Sequence, residues 1–287
     1  MAVLETQNLT YTYSVGSPFE QQAIREVSFQ TRPGELLGII GHTGSGKSTL
    51  VQHLNGLLHP TDGRVLLDGQ DIWAEPKAIR RVRFRVGMVF QYPEHQLFEE
   101  TVYKDIAFGP RNMELDEAEI DRRVHAAAAC VGLSEAYLEK SPFDLSGGEK
   151  RRAAIAGVMA MEPDILILDE PTAGLDPRGR EQVLTMIRDY RLQRDTTVLL
   201  VSHSMEDVAR VADRVLVMDH GRVAMLDTVE RVFSRAAELE AMGLTVPAVT
   251  QIMLLLKRQG VDVSTDVYTV EQAAARLLPL LGGEPSC

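Results

Sequence analysis

Cysteine is nearly missing from this chain. Cys130 and Cys287 are the only two, which excludes a disulfide framework and suits a reducing compartment. Long apolar runs are missing as well. The longest uninterrupted aliphatic stretch is IMLLL at 252–256, far below the ~18 residues that a membrane-spanning helix needs. Any work at a membrane is therefore expected to go through a partner. A basic surplus is absent too, since 41 acidic residues stand against 30 basic ones for a net charge of -11, and this argues against nucleic acid as a partner. The opening MAVLETQNLT carries Glu5 and has neither a basic nor an apolar leader region, so export is not expected. No internal repeat or low-complexity tract interrupts the chain. What remains is ordinary globular material, with 45% hydrophobic and 25% charged residues over 287 positions, enough for one large domain or two modest ones.

Short continuous apolar runs alternate with helical patterns: LLGII (36–40), VGMVF (86–90), ILIL (165–168), VLLV (198–201) and VLVM (215–218). Unbroken apolar strands between helices predict a buried, mainly parallel sheet in an α/β domain. The earlier segments VLETQNLTYTY, VSFQ and RVLLDG alternate instead and predict an antiparallel β subdomain. Residues 92–161 turn helical, which predicts a helical subdomain inserted into a domain of residues 1–229. Arg80, Arg81, Arg83 and Arg85 in IRRVRFRVG are expected on the exposed face of the strand that enters Gln91. Residues 230–287 carry three further apolar-striped segments separated by Pro247 and Gly260, and are expected to form a small helix-rich C-terminal domain.

GHTGSGKST, comprising Gly41, His42, Thr43, Gly44, Ser45, Gly46, Lys47, Ser48 and Thr49, fits G-x-x-x-x-G-K-[ST] between a strand and a helical pattern. The glycines let successive backbone N–H groups and the helix N-terminus meet phosphates. Lys47 is then expected to reach the β- and γ-phosphates, and Ser48 to ligate Mg2+. In DILILDEPTAGLDP an apolar strand ends in Asp169 and Glu170, delivering two carboxylates to the sheet edge where α/β folds bind ligands. Asp169 suits a water-shelled Mg2+, and Glu170 is placed to polarise an attacking water.

LSGGE at 145–149, standing between the P-loop and the Asp-Glu pair, resembles the signature of ATP-binding cassette (ABC) proteins. The order of Gln91, the signature, the acid pair, GLD at 174–176 and His203 is similar to that family throughout. The resemblance implies an α/β P-loop ABC nucleotide-binding domain that binds ATP with Mg2+ and hydrolyses it as a dimer. It makes Tyr13 the residue stacked on adenine, with Tyr11 as the alternative. It makes Gln91 a contact to the metal or the lytic water, and His203 a hydrogen-bond donor to the γ-phosphate. Ser146, Gly147 and Gly148 would close over the ATP of the partner chain, and Asp176 would help join the two sites. One departure stands out: Glu149 occupies the position where the family usually has Gln. A carboxylate there predicts repulsion of ATP and slower turnover unless Lys150, Arg151 or Arg152 offsets it.

FQYPEHQLFEETVYKDIAFGPRN at 90–112 resembles the energy-coupling factor (ECF) group of ABC importers, and the regions around the P-loop and signature are similar to the second of its two paralogous ATPase types. That resemblance implies pairing with a paralogous ABC ATPase, or with a second copy of itself. It also implies docking on a transmembrane T component (EcfT) through Tyr92, Pro93, His95, Gln96, Leu97 and Phe98, an S component that selects vitamins or transition-metal ions, and a peripheral location on the cytoplasmic face of the cell membrane. The C-terminal extension is expected to serve dimerisation. The competing reading is a cytosolic ATP-switched scaffold that moves no solute.

Overall fold

The computed structural model describes residues 3–281, so Cys287 lies outside the described residues. Along the chain the strands are β1 (Leu4–Tyr13), β2 (Gln21–Gln30), β3 (Leu36–Gly41), β4 (Asp62–Leu67), β5 (Gln70–Asp71), β6 (Val86–Val89), β7 (Ile165–Asp169), β8 (Thr197–Val201), β9 (Arg214–Asp219) and β10 (Arg222–Thr228). The helices are α1 (Lys47–Leu54), α2 (Ile79–Arg85), α3 (Val102–Asn112), α4 (Glu117–Cys130), α5 (Gly147–Met159), α6 (Pro177–Arg194), α7 (Met205–Val211), α8 (Val229–Phe233), α9 (Ala236–Ala241), α10 (Ala248–Arg258) and α11 (Val270–Leu277).

Two sheets result. β2-β1-β4-β5 is antiparallel, and the six-stranded sheet runs β10-β9-β3-β8-β7-β6, parallel except where β10 returns beside β9. The continuous apolar runs have a direct cause in the packing. Successive side chains of a strand point to opposite faces, and in β7 Leu166 and Leu168 join the core under α3 to α6 while Ile165 and Ile167 join the core shared with the antiparallel sheet and α1. Both faces are dry, so no polar residue is tolerated within such a strand. Each fully buried aliphatic side chain contributes roughly 1.5–3 kcal/mol.

The five predicted apolar strands sit within a residue of the observed ones, whereas β2 begins six residues before VSFQ and β4 lies two residues before RVLLDG. Residues 92–161 hold α3, α4 and α5 with short 3-10 turns and no strand among the described residues. The arginine cluster is a correction. Residues 79–85 form α2, and the strand begins only at Val86. Ile79 and Val82, three positions apart, turn one side of this helix into the inter-sheet core. Arg83 donates to the Gly56 carbonyl, while Arg85 bridges Asp68 and Asp164 at 2.6 Å each. A period of three is helical, whereas the VGMV that follows is strand.

Beyond β10 the chain packs back on the nucleotide-binding fold. Phe233, fully buried, lies with Val229, Val232, Leu239 and Tyr268 against Val208 of α7 and Val215 and Val217 of β9. A small satellite core of Met253, Val263, Val267 and Ala273 holds α10 to α11.

Candidate ATP site

The parallel strands deliver their C-terminal ends to one edge of the sheet. From one side to the other these ends carry Asp219 at the end of β9, the P-loop from the end of β3, His203 just past β8, Asp169 at the end of β7 with Glu170 next to it, and Gln91 just past β6. Residues far apart in sequence are thereby set side by side without any long-range recognition beyond strand register. A cleft of about 520 Å³ opens here, lined by Tyr13, Thr43, Gly44, Gly46, Lys47, Ser48, Thr49, Gln91, Asp169, Glu170 and His203. Of the predicted site residues, Gly41, His42, Ser45, Ser146, Gly147 and Gly148 do not line this cleft.

The P-loop requires glycine for a steric reason at Gly46. Its φ of +100° is costly for any residue with a Cβ, and an added Cβ would lie 2.7 Å from the Ala23 carbonyl oxygen and 2.8 Å from Ile24. Lys47 opens α1 and is itself buried, donating from Nζ to the carbonyls of Gly41 at 2.6 Å and His42 at 3.1 Å. Burial lowers its pKa, opposed by the charges of Glu170 and Asp169. Tyr13 stands at the rim, 38% exposed, with its hydroxyl 3.2 Å from the Thr49 hydroxyl and its ring edge-on to Tyr11 at 4.8 Å.

Asp169 and Glu170 are both buried. Burial raises the pKa of Asp169, and a hydrogen bond with the Ser48 side chain opposes the rise. Burial likewise pushes Glu170 up to about 7, against a backbone hydrogen bond from His203. Glu170 adopts a left-handed φ of 53°, an uncommon conformation for a residue with a side chain. It is held there by its N–H donating to Val201 O at 3.0 Å and by its carboxylate accepting from the His203 N–H at 3.3 Å. The His203 ring Nε2 lies 3.2 Å from Glu170 Oε1, and burial first, then the Lys47 charge, lowers the imidazole pKa. A carboxyl poised near neutrality beside a neutral imidazole is an arrangement able to accept a proton from water. The Ser48 hydroxyl and the Asp169 carboxylate form a hard oxygen donor set next to the lysine, which fits a magnesium ion.

Ser146 caps α5 in a reciprocal box. Glu149 accepts from the Ser146 N–H at 2.8 Å and from its hydroxyl at 2.7 Å, and these hydrogen bonds hold the Glu149 carboxyl down at about 2. Glu149 is thus turned onto its own helix N-terminus. Arg151 does not pair with it. That guanidinium is buried, bonded to both carboxylate oxygens of Glu94 at 3.0 and 2.8 Å and to the Ala173 carbonyl at 2.6 Å. Asp176 caps α6 by accepting from Gly179 N at 2.7 Å. Of the residues expected to dock on a T component, Tyr92, His95, Gln96 and Phe98 are exposed, whereas Pro93 is buried and Leu97 half-buried.

The sequence reading missed Gln21, Gln22, Ala23, His220 and Gly221, which also line the cleft. Gly221 had a local signal, since DHG reads as a turn. Its φ is +77° and an added Cβ would meet the Ala23 carbonyl oxygen at 2.8 Å. Nothing local announces that this turn lies against the P-loop, where the Gly221 N–H donates to Ser45 O at 3.1 Å.

A nucleotide cleft on a six-stranded parallel-type sheet, with an inserted helical arm that carries LSGGE, defines the ABC ATPase class. A family model described as ABC transporter matches residues 24–173. Among curated proteins the chain is 51% identical over 282 residues to the energy-coupling factor transporter ATP-binding protein EcfA2 of Clostridium tetani, covering 98% of both chains. It is 54% identical to that of Symbiobacterium thermophilum, covering 96% of this chain and 95% of the relative. Among solved structures it resembles cbiO1 of Clostridium perfringens, described as part of the ABC transporter complex cbiONQ, with a TM-score of 0.75, 38% identity and coverage of 90% and 96%. It also resembles the ATP-binding cassette MJ0796 in a dimeric post-hydrolysis state bound to ADP and Pi, with a TM-score of 0.71, 25% identity and coverage of 79% and 98%. The chain belongs to the ABC transporter family, among the ATP-binding, ATP-hydrolysing subunits of energy-coupling factor transporters. Among the described residues no helix is long and apolar enough to cross a membrane.

Proposed function

We propose that this ATPase energises an importer whose transmembrane T component and substrate-selecting S component are separate chains, at the cytoplasmic face of the membrane, with a vitamin or a transition-metal ion as cargo. The observation that carries the two-chain part of this reading is the separation, within one chain, of the signature residues from the cleft that holds the P-loop. Each ATP then needs Ser146, Gly147 and Gly148 from a second cassette, which is either a paralogue or another copy. The near full-length similarity to ECF ATP-binding proteins supports the importer part, and the dimeric state of the MJ0796 cassette supports the pairing.

Within the cleft, Tyr13 stacks on adenine, and the P-loop N–H groups from Gly41 to Thr49 cradle the phosphates. Lys47 exchanges its two loop carbonyls for β- and γ-oxygens. Ser48, Asp169 and Gln91 are the residues that would hold Mg2+, which when bound supplies charge neutralisation on the phosphate oxygens. Glu170, ionised, takes the proton of the attacking water, and His203 donates to the γ-phosphate as charge develops there. The exposed residues around Tyr92 and Phe98 meet the T component, and residues 230–287 strengthen the pairing of the two ATPases.

Affinity purification of detergent-solubilised complexes from cells carrying the tagged parent and Glu170→Gln tests the reading. The expected result is co-purification of a second cassette ATPase and a multi-span protein, with the variant binding ATP but hydrolysing less than about 1% as fast. Recovery of soluble partners alone would overturn the importer reading and leave the ATPase standing.

A further inference from the structure

β3 and β9 are parallel neighbours in which Gly41 pairs with Met218, so the next residue on each strand, His42 at the head of the P-loop and Asp219, come side by side. His42 Nε2 lies 3.2 Å from Asp219 Oδ1. His220 Nε2 lies 3.8 Å from the same oxygen, and the two imidazole centroids are 5.1 Å apart. One ligand atom from each of the three residues falls within 4.8 Å of the others. His42 Nδ1 is 2.8 Å from the Thr43 carbonyl oxygen. A carbonyl can only accept, so Nδ1 carries the proton, and the neutral ring then presents a bare lone pair at Nε2 toward a carboxylate oxygen. Both of these facing atoms are buried, and neither has a hydrogen-bond partner. Two buried acceptors facing each other are unfavourable unless a cation lies between them.

We propose that His42, Asp219 and His220 form a binding site for one divalent transition-metal ion of the zinc and cobalt class. Imidazole with a single carboxylate is the donor set that this class prefers. Bonds of about 2.0–2.2 Å in a tetrahedron set ligand atoms roughly 3.2–3.6 Å apart, close to the two distances to Asp219 Oδ1. The bond from His42 Nδ1 to a backbone carbonyl is the outer contact that orients a metal-binding histidine. Exposure of His220 leaves an entry path and a fourth position for water. The ion ties the head of the P-loop to the β9–β10 turn, whose Gly221 N–H already holds Ser45 O. The site adjoins the ATP cleft, which His220 lines, but it does not depend on the importer reading.

The test is Co2+ titration of the full-length, tag-free, chelator-stripped chain without nucleotide, followed by visible absorption and by hydrogen exchange. Expected are one equivalent bound with the intense visible bands of a four-coordinate nitrogen-containing site, and slower exchange at residues 42–46 and 219–221. In His220→Asn and in Asp219→Asn the affinity should fall at least about tenfold and the bands should be lost. Asparagine tolerates the left-handed φ of 44° at position 220, so unchanged thermal melting of that variant separates loss of a ligand from loss of fold. Three results would each overturn the site: no Co2+ binding by the parent; only the weak spectrum of six oxygen ligands; or affinity in both variants equal to that of the parent.

Discussion

Glu170 concentrates the chemistry at the scale of single residues. Burial raises its carboxyl to about 7, from an ordinary value near 4.3. The proton is therefore held more tightly in the folded chain than in the unfolded one. Its contribution to stability is fully present below the unfolded value and is lost as pH rises through about 7. Catalysis by the proposed mechanism runs the other way, because there the ionised form is the base. The ATPase kcat/KM should climb with pH and level off above about 7. Glu170→Gln, which has no titration, should be more stable than the parent at pH 8 by on the order of 1–3 kcal/mol while losing nearly all turnover. Thermal melts and rate profiles at matched pH check both signs. Glu149 is a second residue with a definite expectation. Gln can keep the capping box, so Glu149→Gln should change the unfolding free energy by less than about 1 kcal/mol. It should also raise the ATPase rate of the assembled complex by removing a negative charge beside ATP. An unchanged rate would show that the carboxylate, turned onto its own helix, never reaches the nucleotide.

Between elements, the Arg151–Glu94 pair is the most consequential contact. Its two side chains are only 5% and 16% exposed, and it joins α5, which begins at the signature, to the 3-10 turn Pro93–Gln96 after Gln91 and to the loop following Glu170. Burial alone would raise the Glu94 pKa, yet the hydrogen bonds from Arg151 outweigh it and the pKa is lowered. Glu94→Ala leaves a buried guanidinium without its carboxylate and should cost about 3–5 kcal/mol in urea unfolding. Glu94→Gln, which retains an acceptor, should cost less. Equal small losses in the two variants would mean that the pair does not hold these elements together. The charge run LSGGEKRR shows an available arginine, but its partner lies on a different element and only the folded chain identifies it.

For the whole molecule, the proposed division of one ATP site between two chains predicts how activity depends on concentration. With its second cassette kept at a constant ratio, the ATPase rate per chain should fall steadily as the protein is diluted below the dimerisation constant. A rate per chain that stays constant while the sedimenting species is a monomer would overturn this.

The sequence by itself determined the chemical inventory and its order: the phosphate loop, the strand-end glutamine, the signature, the acid pair and the strand-end histidine. It did so because each motif is local, its backbone demands and donor types being satisfied within a few residues of chain. The parallel sheet was equally legible, since strands buried on both faces must be apolar throughout. Three matters were decided only by the tertiary structure. Arg80 to Arg85 became helical because Ile79 and Val82 found a core to enter. Arg151 turned to Glu94 rather than Glu149 because a buried guanidinium takes the carboxylate that reaches it in the dry interior. His42, Asp219 and His220 met because the register of β3 against β9 set Gly41 opposite Met218. In each case the deciding partner is brought near by strand register or burial, and neither is written in the residues adjoining it.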